Sequence, residues 1–245
     1  MRTWKFWRRL GVIFLLVIAG SAVTAWDRHK VRADWRTASR ESAGIAPDPA
    51  TTKEAVVQVY AARAWSWRGV LGVHTWISVK STDAVEFTVY EVIGWRRYRG
   101  LSVVSISNRP ADGRWFGATP QLLADIRGQG VDAVIARIDA AAKSYPYADQ
   151  YRVWPGPNSN TFTAYVARAI PELKLDLPPT AIGKDYLTGI AAAPSGTGYQ
   201  FSLFGLFGVL AGKEEGLEVN VLGLTFGVDP ADLALKLPAI GRIGL

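Results

Sequence analysis

Residues 156–162 read Gly-Pro-Asn-Ser-Asn-Thr-Phe, and they open the run "TFTAYVARAIPEL" that follows. Three small polar residues ahead of an apolar helix have two readings. Asn and Ser are leading helix N-cap residues, because a side-chain oxygen accepts a free amide of the first turn, a contribution of about 1 kcal/mol. The same position is also where a helix N-terminus would present a nucleophile, with its amides serving as an oxyanion hole. In the second reading Ser159 is the nucleophile. A hydroxyl at a helix N-terminus stays protonated, so Ser159 would need a true general base oriented by a third group.

The base has few candidates. The chain has 245 residues and two histidines, His29 and His74. His29 lies in a basic N-terminal arm, which leaves His74 in "GVLGVHTWISVK", a strand pattern. After a turn at "STD" the next strand is "AVEFTVYEVIGW". A turn centred near Thr82 sets Tyr90 opposite His74 and puts Glu91 on the other face, unless the register slips by one. Glu91 is the better electrostatic orienter and Tyr90 the better placed, and both stay open. The expected catalytic set is Ser159, His74, Glu91 and Tyr90. The expected ligand contacts are Asn158, Asn160 and Trp76. There is no Cys, hence no disulfide, thiolate nucleophile or Cys-based zinc site. Two histidines exclude a His-rich metal site, and no cofactor is expected.

Outward from this centre, "TTKEAVVQVYAARAW" at 51–65 fits a helix with Val56, Val57, Tyr60 and Ala61 on one face. "LSVVSIS" is a third strand, and "TPQLLADI" and "VDAVIARIDAAAKSY" fit helices around "RGQG". Pro171 ends the helix that begins at the polar triplet. The stretch "GWRRYRG" at 94–100 gathers three Arg among aromatics and reads as a solvated loop or a contact for lipid headgroups. The last fifty residues are glycine-rich, and their strands read as apolar on both faces, with "GKEEG" at 212–216 as a hairpin turn. Such strands need cover from the main domain, the membrane or a partner.

The net charge of +7 resembles a nucleic-acid signal until it is mapped. Residues 1–40 hold nine Lys/Arg and two Asp/Glu, and residues 41–245 hold 19 of each. The basic character belongs to the arm, so no nucleic-acid partner is expected. Within the arm, Leu10–Trp26 is an uncharged run of 17 residues flanked by Arg8, Arg9 and interfacial Trp. As a helix it is about 25 Å long, the short limit of a membrane span. A cleaved signal peptide ending near "VTA" and a buried helix are the rival readings. Lys/Arg counts on the two sides are nearly balanced. The short leading tail favours a cytoplasmic N-terminus and an outward-facing domain, or release on the outer side if the segment is cleaved. The bilayer is the expected partner, beside a possible envelope ligand or protein.

The order of a His strand, further strands, helices and then N-S-x-x-F opening a helix resembles the circularly permuted papain-like fold of the lecithin retinol acyltransferase-like proteins. "HTWI" matches their His strand, and Ser159 stands where they carry a cysteine. The resemblance covers about residues 60–172. At closer range "WRGVLGVHTWI", "YEVIGWR", "RWFGATPQLLADI", "YRVWPGPNSNTF", "PPTAIGKDYL" and "GLEVNVLGL" resemble the domain of unknown function 3750 family of bacterial membrane proteins, across about residues 50–245. The expected architecture is α+β: an arm at 1–40 with the span, a linker at 41–50, a papain-like core at 51–190, and a β-rich extension at 191–245. Three functions follow: a degenerate papain-like domain binding a lipid, peptide or cell-wall ligand; a Ser159/His74 hydrolase or acyltransferase; or a structural or interaction protein of the envelope.

Overall fold

The structure, a computed structural model, describes Arg8 and residues 34–244. The Leu10–Trp26 run lies outside the described residues. Among those described, no helix is long and apolar enough to cross a membrane.

The chain is α+β, with two antiparallel sheets. The first has strands β1 (Val56–Arg63), β2 (Val73–Lys80), β3 (Thr88–Val92), β4 (Val104–Ser107) and β5 (Gln121–Arg127), in the order β4-β3-β2-β1-β5. Two segments expected to be helical are strands here. In β1, Val56 to Ala62 are all buried. A strand covered on both faces loses the alternation that marks strands, and its contiguous apolar residues mimic a helical face. The β-branched Val56, Val57 and Val59 favour the extended form that the sheet selects. "TPQLLADI" contributes β5, an edge strand starting just after Pro120, where a missing amide costs nothing to the ladder.

A one-turn helix α1 (Arg68–Leu71) precedes β2. Helices α2 (Val131–Lys143) and α3 (Ser159–Ala169) match their sequence patterns. Both pack on one face of the sheet, burying Val57, Val59, Ile77 and Val79 against Ile138, Phe162 and Val166. Phe162 is fully buried, edge-on to Tyr145.

The other face is covered by chain rather than by helices. Strands β4 and β5 are opposite edges of the sheet, so residues 108–120 must cross it. They do so on the helix-free face. The Ala111 carbonyl accepts from Trp76 Nε1 at 2.7 Å and from Ser78 Oγ at 2.9 Å. Asp112 accepts from the Ile45 and Ala46 amides and the Ser42 hydroxyl. The stretch expected as a free linker is thereby tied down along residues 42–46.

The second sheet is a meander of β6 (Ile190–Pro194), β7 (Gly198–Leu203), β8 (Phe207–Gly212), β9 (Gly216–Val221), β10 (Leu224–Asp229), β11 (Ala234–Leu237) and β12 (Gly241–Ile243), paired in sequence order. Gly212 pairs with Gly216 across the expected hairpin. The expectation of two apolar faces is corrected. One face is buried and polar, with Gln200, Ser202, Glu218, Asn220, Thr225 and Lys236. The apolar residues alternate outward, where Tyr199, Val209, Leu217 and Val219 are exposed.

Candidate functional site

The polar triplet is a cap first. Asn158 Oδ1 accepts from the Asn160 and Thr161 amides at 2.9 and 3.2 Å. The Asn158 amide donates to Thr161 Oγ1 at 3.1 Å, completing a capping box. The rest of the triplet stitches α3 to its neighbours. Asn158 Nδ2 donates to the carbonyls of Val153 and Ile182, and Asn160 Nδ2 to those of Val73 and Ile182. Gly183 makes the close approach possible: at φ +91°, a Cβ there would meet Asn158 Nδ2 at 2.6 Å. Both asparagines are buried and their amide protons are committed to backbone.

The residue of β2 that meets this helix start is Thr75, not His74. Thr75 Oγ1 lies 3.1 Å from Asn160 Oδ1, 2.9 Å from Thr163 Oγ1 and 3.4 Å from the Ser159 carbonyl. Successive side chains of a strand point to opposite faces. His74 therefore lies on the helix-free face, with the sheet between it and Ser159. The expected Ser159–His74 pair does not come together.

The register of β2 on β3 explains where His74 points. Tyr90 pairs with Ile77 rather than with His74, an offset of three residues from the expectation. An odd offset exchanges the faces. Tyr90 turns to the helices and donates to Asp139 Oδ1 at 3.1 Å. Glu91 turns to His74, and its Oε2 lies 2.8 Å from His74 Nε2. Arg109, from the crossing segment, holds the same carboxylate, with Nε 2.8 Å from Oε1 and Nη2 3.2 Å from Oε2. Its guanidinium also lies 4.7 Å from the Trp76 ring centre.

Burial alone would raise the pKa of Glu91, but hydrogen bonds from His74 and Arg109 and the Arg109 charge outweigh it and hold the pKa at about 2. Burial pushes the His74 imidazole below its ordinary value, against the pull of Glu91. The trio is then a neutral His, an ionised Glu and a charged Arg. An ionised carboxylate only accepts, so His74 Nε2 carries the proton and Nδ1 keeps its lone pair. Among the described residues, the His74 ring has no hydrogen-bond partner besides Glu91. Trp115 covers its ring at 3.6 Å between centres, nearly parallel, and Trp76 flanks it at 5.7 Å. Trp76 is fully buried and acts as a floor for His74 and Arg109 rather than as an outward ligand contact.

Aromatic packing continues from His74 to the surface. Trp115 contacts Trp95 and Phe116, and Phe116 contacts Trp65. The chain arriving from the N-terminal side joins this cluster: Arg40 lies over Phe116 at 4.5 Å, and the Gly117 amide donates to the Ser39 carbonyl. At the surface Trp67 is 68% exposed and Tyr98 is 91% exposed. Arg68, Arg97 and Arg99 are exposed among them.

Contacts between the sheets bring one end of the meander to the same side. Arg63, at the end of β1, donates to the Ala239 carbonyl in the β11–β12 turn at 3.0 Å. Trp154 Nε1 donates to Leu222 in the β9–β10 turn at 2.9 Å. Tyr151 lies so close to Gly94 that a Cβ there would meet its ring at 2.5 Å. One side of the molecule thus carries the arginine-rich 3-10 turn at Gly94–Arg99, the exposed Trp154, Phe204 and Leu222, and Ser39 and Arg40 of the arriving chain. Sequence reasoning had noticed "GWRRYRG" but not Arg109, Trp115 or Phe116. Glu91 lies 18 residues from Arg109 in sequence, and Trp115 and Phe116 meet His74 and Trp65 only through the fold.

The family model for DUF3750, a protein of unknown function, matches residues 54–186. No curated protein and no solved structure matches the chain.

Proposed function

The chain is a member of the DUF3750 family, and from its geometry we propose a membrane-apposed lipid-binding domain, with the aromatic and arginine side turned toward the headgroups of the bilayer that holds the N-terminal span. The observation that carries this reading is the placement of the arriving chain. Ser39, Arg40 and Glu41 come in along Arg114–Gly117, with Arg40 over Phe116, which in turn meets Trp65, within the side that exposes Trp67, Trp95, Tyr98 and Trp154. Seven residues, 27–33, separate the end of the apolar run from Asp34, a reach of roughly 25 Å when extended. Exposed Trp and Tyr prefer the interfacial layer, and Arg there attracts anionic headgroups. Arg97 and Arg99 supply that charge next to Tyr98. The domain is proposed to face outward from a bacterial inner membrane.

The papain-like likeness contributes an order of elements: a strand, then a helix whose capped start packs on it. With Thr75 at the helix start and His74 behind the sheet, binding is favoured over a Ser159-based hydrolase. The His74–Glu91–Arg109 cluster pins the crossing segment that carries Trp115 and Phe116, and so shapes the aromatic side.

The absence of native Cys gives a clean test. Full-length Tyr98→Cys and Lys213→Cys variants are spin-labelled in anionic proteoliposomes. Depth is read from relaxation by oxygen and by a water-soluble nickel chelate. The expected result is Tyr98 in the headgroup layer and Lys213, in the β8–β9 turn at the opposite end of the meander, in water. Equal exposure of both labels to water refutes the apposition.

A further inference from the structure

The outward face of the second sheet carries no charge from β6 to β11. The residues that register places there run from Ile190 through Leu237. The only side-chain polar atom among them is the Tyr199 hydroxyl, at the end of the sheet away from the arginine turn. The face is concave. Its centre is an open groove of roughly 770 Å³ whose accessible wall is nearly all apolar, with Tyr199, Phe201, Val209, Leu217, Val219 and Phe226 in it, while Gln200, Glu218 and Lys236 lie behind it with their side chains on the buried face. Ligand sites commonly fall between about 300 and 1,000 Å³ and hold orienting polar groups. This one has almost none, so what it takes is hydrocarbon.

We propose that this groove takes an acyl chain of a phospholipid drawn from the adjacent bilayer, with the headgroup left at the aromatic and arginine side. The proposal rests on the apposition argued above. From the groove the outward apolar row runs on through Phe207 and Val221, both exposed, to the 204–206 and 222–223 turns, on the side where Arg63 meets Ala239 and where Arg40 lies over Phe116. A second copy fits less well, because two concave faces laid together leave a void between them. Crossing the bilayer is excluded for these strands: six residues span about 20 Å, against about 30 Å for a hydrocarbon core. Charge agrees with a headgroup held elsewhere. The segment's Glu218, Lys236 and Asp229 are buried on the polar face.

The test uses full-length chain in proteoliposomes of phosphatidylethanolamine and phosphatidylglycerol, with a trace of phospholipid bearing a diazirine on its acyl chain, which reads the sheet and the N-terminal run, and in a parallel sample on its headgroup, which reads the surroundings of Tyr98. After photolysis, adducts are mapped to peptides. The expected result is labelling within residues 199–228 that saturates at about one lipid per chain. Labelling of the Leu10–Trp26 peptide serves as the internal standard. Val209 and Val219 are both partly exposed. Changing both, Val209→Asp with Val219→Asp, puts carboxylates into a site for hydrocarbon. The double variant should lose sheet adducts roughly tenfold and keep those on the N-terminal run and around Tyr98. Adducts at the N-terminal run and near Tyr98 but not on the sheet overturn the groove and leave the apposition standing. Sheet adducts without adducts near Tyr98 overturn the apposition instead. Labelling that rises without saturation means the face lies flat on the bilayer, and a Val219→Cys disulfide dimer means a second copy covers it. Either result overturns the acyl-chain site.

Discussion

The two sheets of this protein bury opposite kinds of side chain. The first hides Val57, Val59, Ile77 and Val79 under two helices and keeps its polar groups for specific joints. The second hides Lys184, Glu218, Lys236, Asn220 and Thr225 and turns its valines, leucines and phenylalanines outward. Hydrophobic burial drives the first, at about 25 cal/mol per Å² of apolar surface removed from water. The second sheet leaves much of that surface in water, so its docking relies more on paired charges. Lys236 Nζ contacts Glu218 at 2.8 Å and Asp176 at 2.6 Å, and Lys184 Nζ contacts Glu218 at 2.7 Å. A sheet inverted in this way leaves an apolar face exposed.

The sharpest way to break the contrast is Glu218→Ala. Glu218 is shared by two buried ammonium groups, and its removal leaves them facing each other, with Asp176 on Lys236 and Asp185 near Lys184 as the remaining carboxylates. Breaking a buried ion pair costs about 3–5 kcal/mol. Denaturant unfolding should show a loss of that size, comparable to truncating Phe162 to Ala in the helix-covered core. A loss under about 1 kcal/mol, the range of exposed pairs, would mean that water reaches the network and that the polar face is not sealed.

Asp185 gives the pH arm. It is buried, its Oδ1 accepts from Asn220 Nδ2 at 3.0 Å, and its Oδ2 has no partner. Burial raises its pKa to about 6, against the opposing backbone hydrogen bond and the Lys184 charge. The folded state therefore holds a proton that the unfolded chain releases near 3.8. Where the native state binds more protons, stability falls as pH rises. The fall runs from about pH 4 to pH 6 and is complete above the folded value. Two pKa units correspond to an upper bound on the order of 3 kcal/mol. Asp185→Asn should flatten this slope and leave the protein more stable at pH 7 than the parent. An unchanged slope would place the titration elsewhere.

Arg109→Ala probes the first sheet's own charged joint, with a smaller effect. Glu91 would keep His74 as its sole hydrogen-bonding side chain, and Arg109 is itself partly exposed. A cost of about 2 kcal/mol is expected for a weakened buried carboxylate. The nearby cation holds the His74 pKa down, so its removal should move the imidazole titration upward, read from its ring-proton shifts. An unmoved titration would separate the guanidinium from the histidine.

The elements that sequence shows and those it hides divide along the same line. Helices α2 and α3 are legible because one face of each is buried and the 3.6-residue period survives. The cap at Asn158 is legible because its chemistry is local. Strand β1 reads as a helix because burial on both faces erases its period. The site depends on more distant facts. A turn centred one or two residues off reverses which of Tyr90 and Glu91 meets His74, and parity gives no partial credit. Arg109 reaches Glu91 and Trp115 reaches His74 only because β4 and β5 are opposite edges, a fact of topology that neither residue announces. The inverted sheet was half visible. Its apolar outward residues and its turn at 212–216 are in the sequence, but the polar inward set looks like ordinary surface until Lys184 and Asp176 are seen to face it.

The smallest effect carries the comparison furthest. Val219 occupies the middle of the central strand of the meander, 40% exposed on the apolar face. Ile77 occupies a similar place in β2 and is fully buried. Ile77→Ala should cost about 2–5 kcal/mol, since it deletes buried methylenes and leaves a cavity. Val219→Ser should change the unfolding free energy of the lipid-free protein by under about 0.5 kcal/mol, as exposed substitutions do. In lipid the two sites diverge again. A ligand that binds only the folded state adds RT ln(1 + [L]/Kd) to stability, and Val219→Ser weakens only that increment. A Val219 variant silent without lipid and destabilised with it marks the outward valines as a binding surface. Equal loss in both conditions would instead make Val219 part of the fold, and the two sheets would differ in degree rather than in kind.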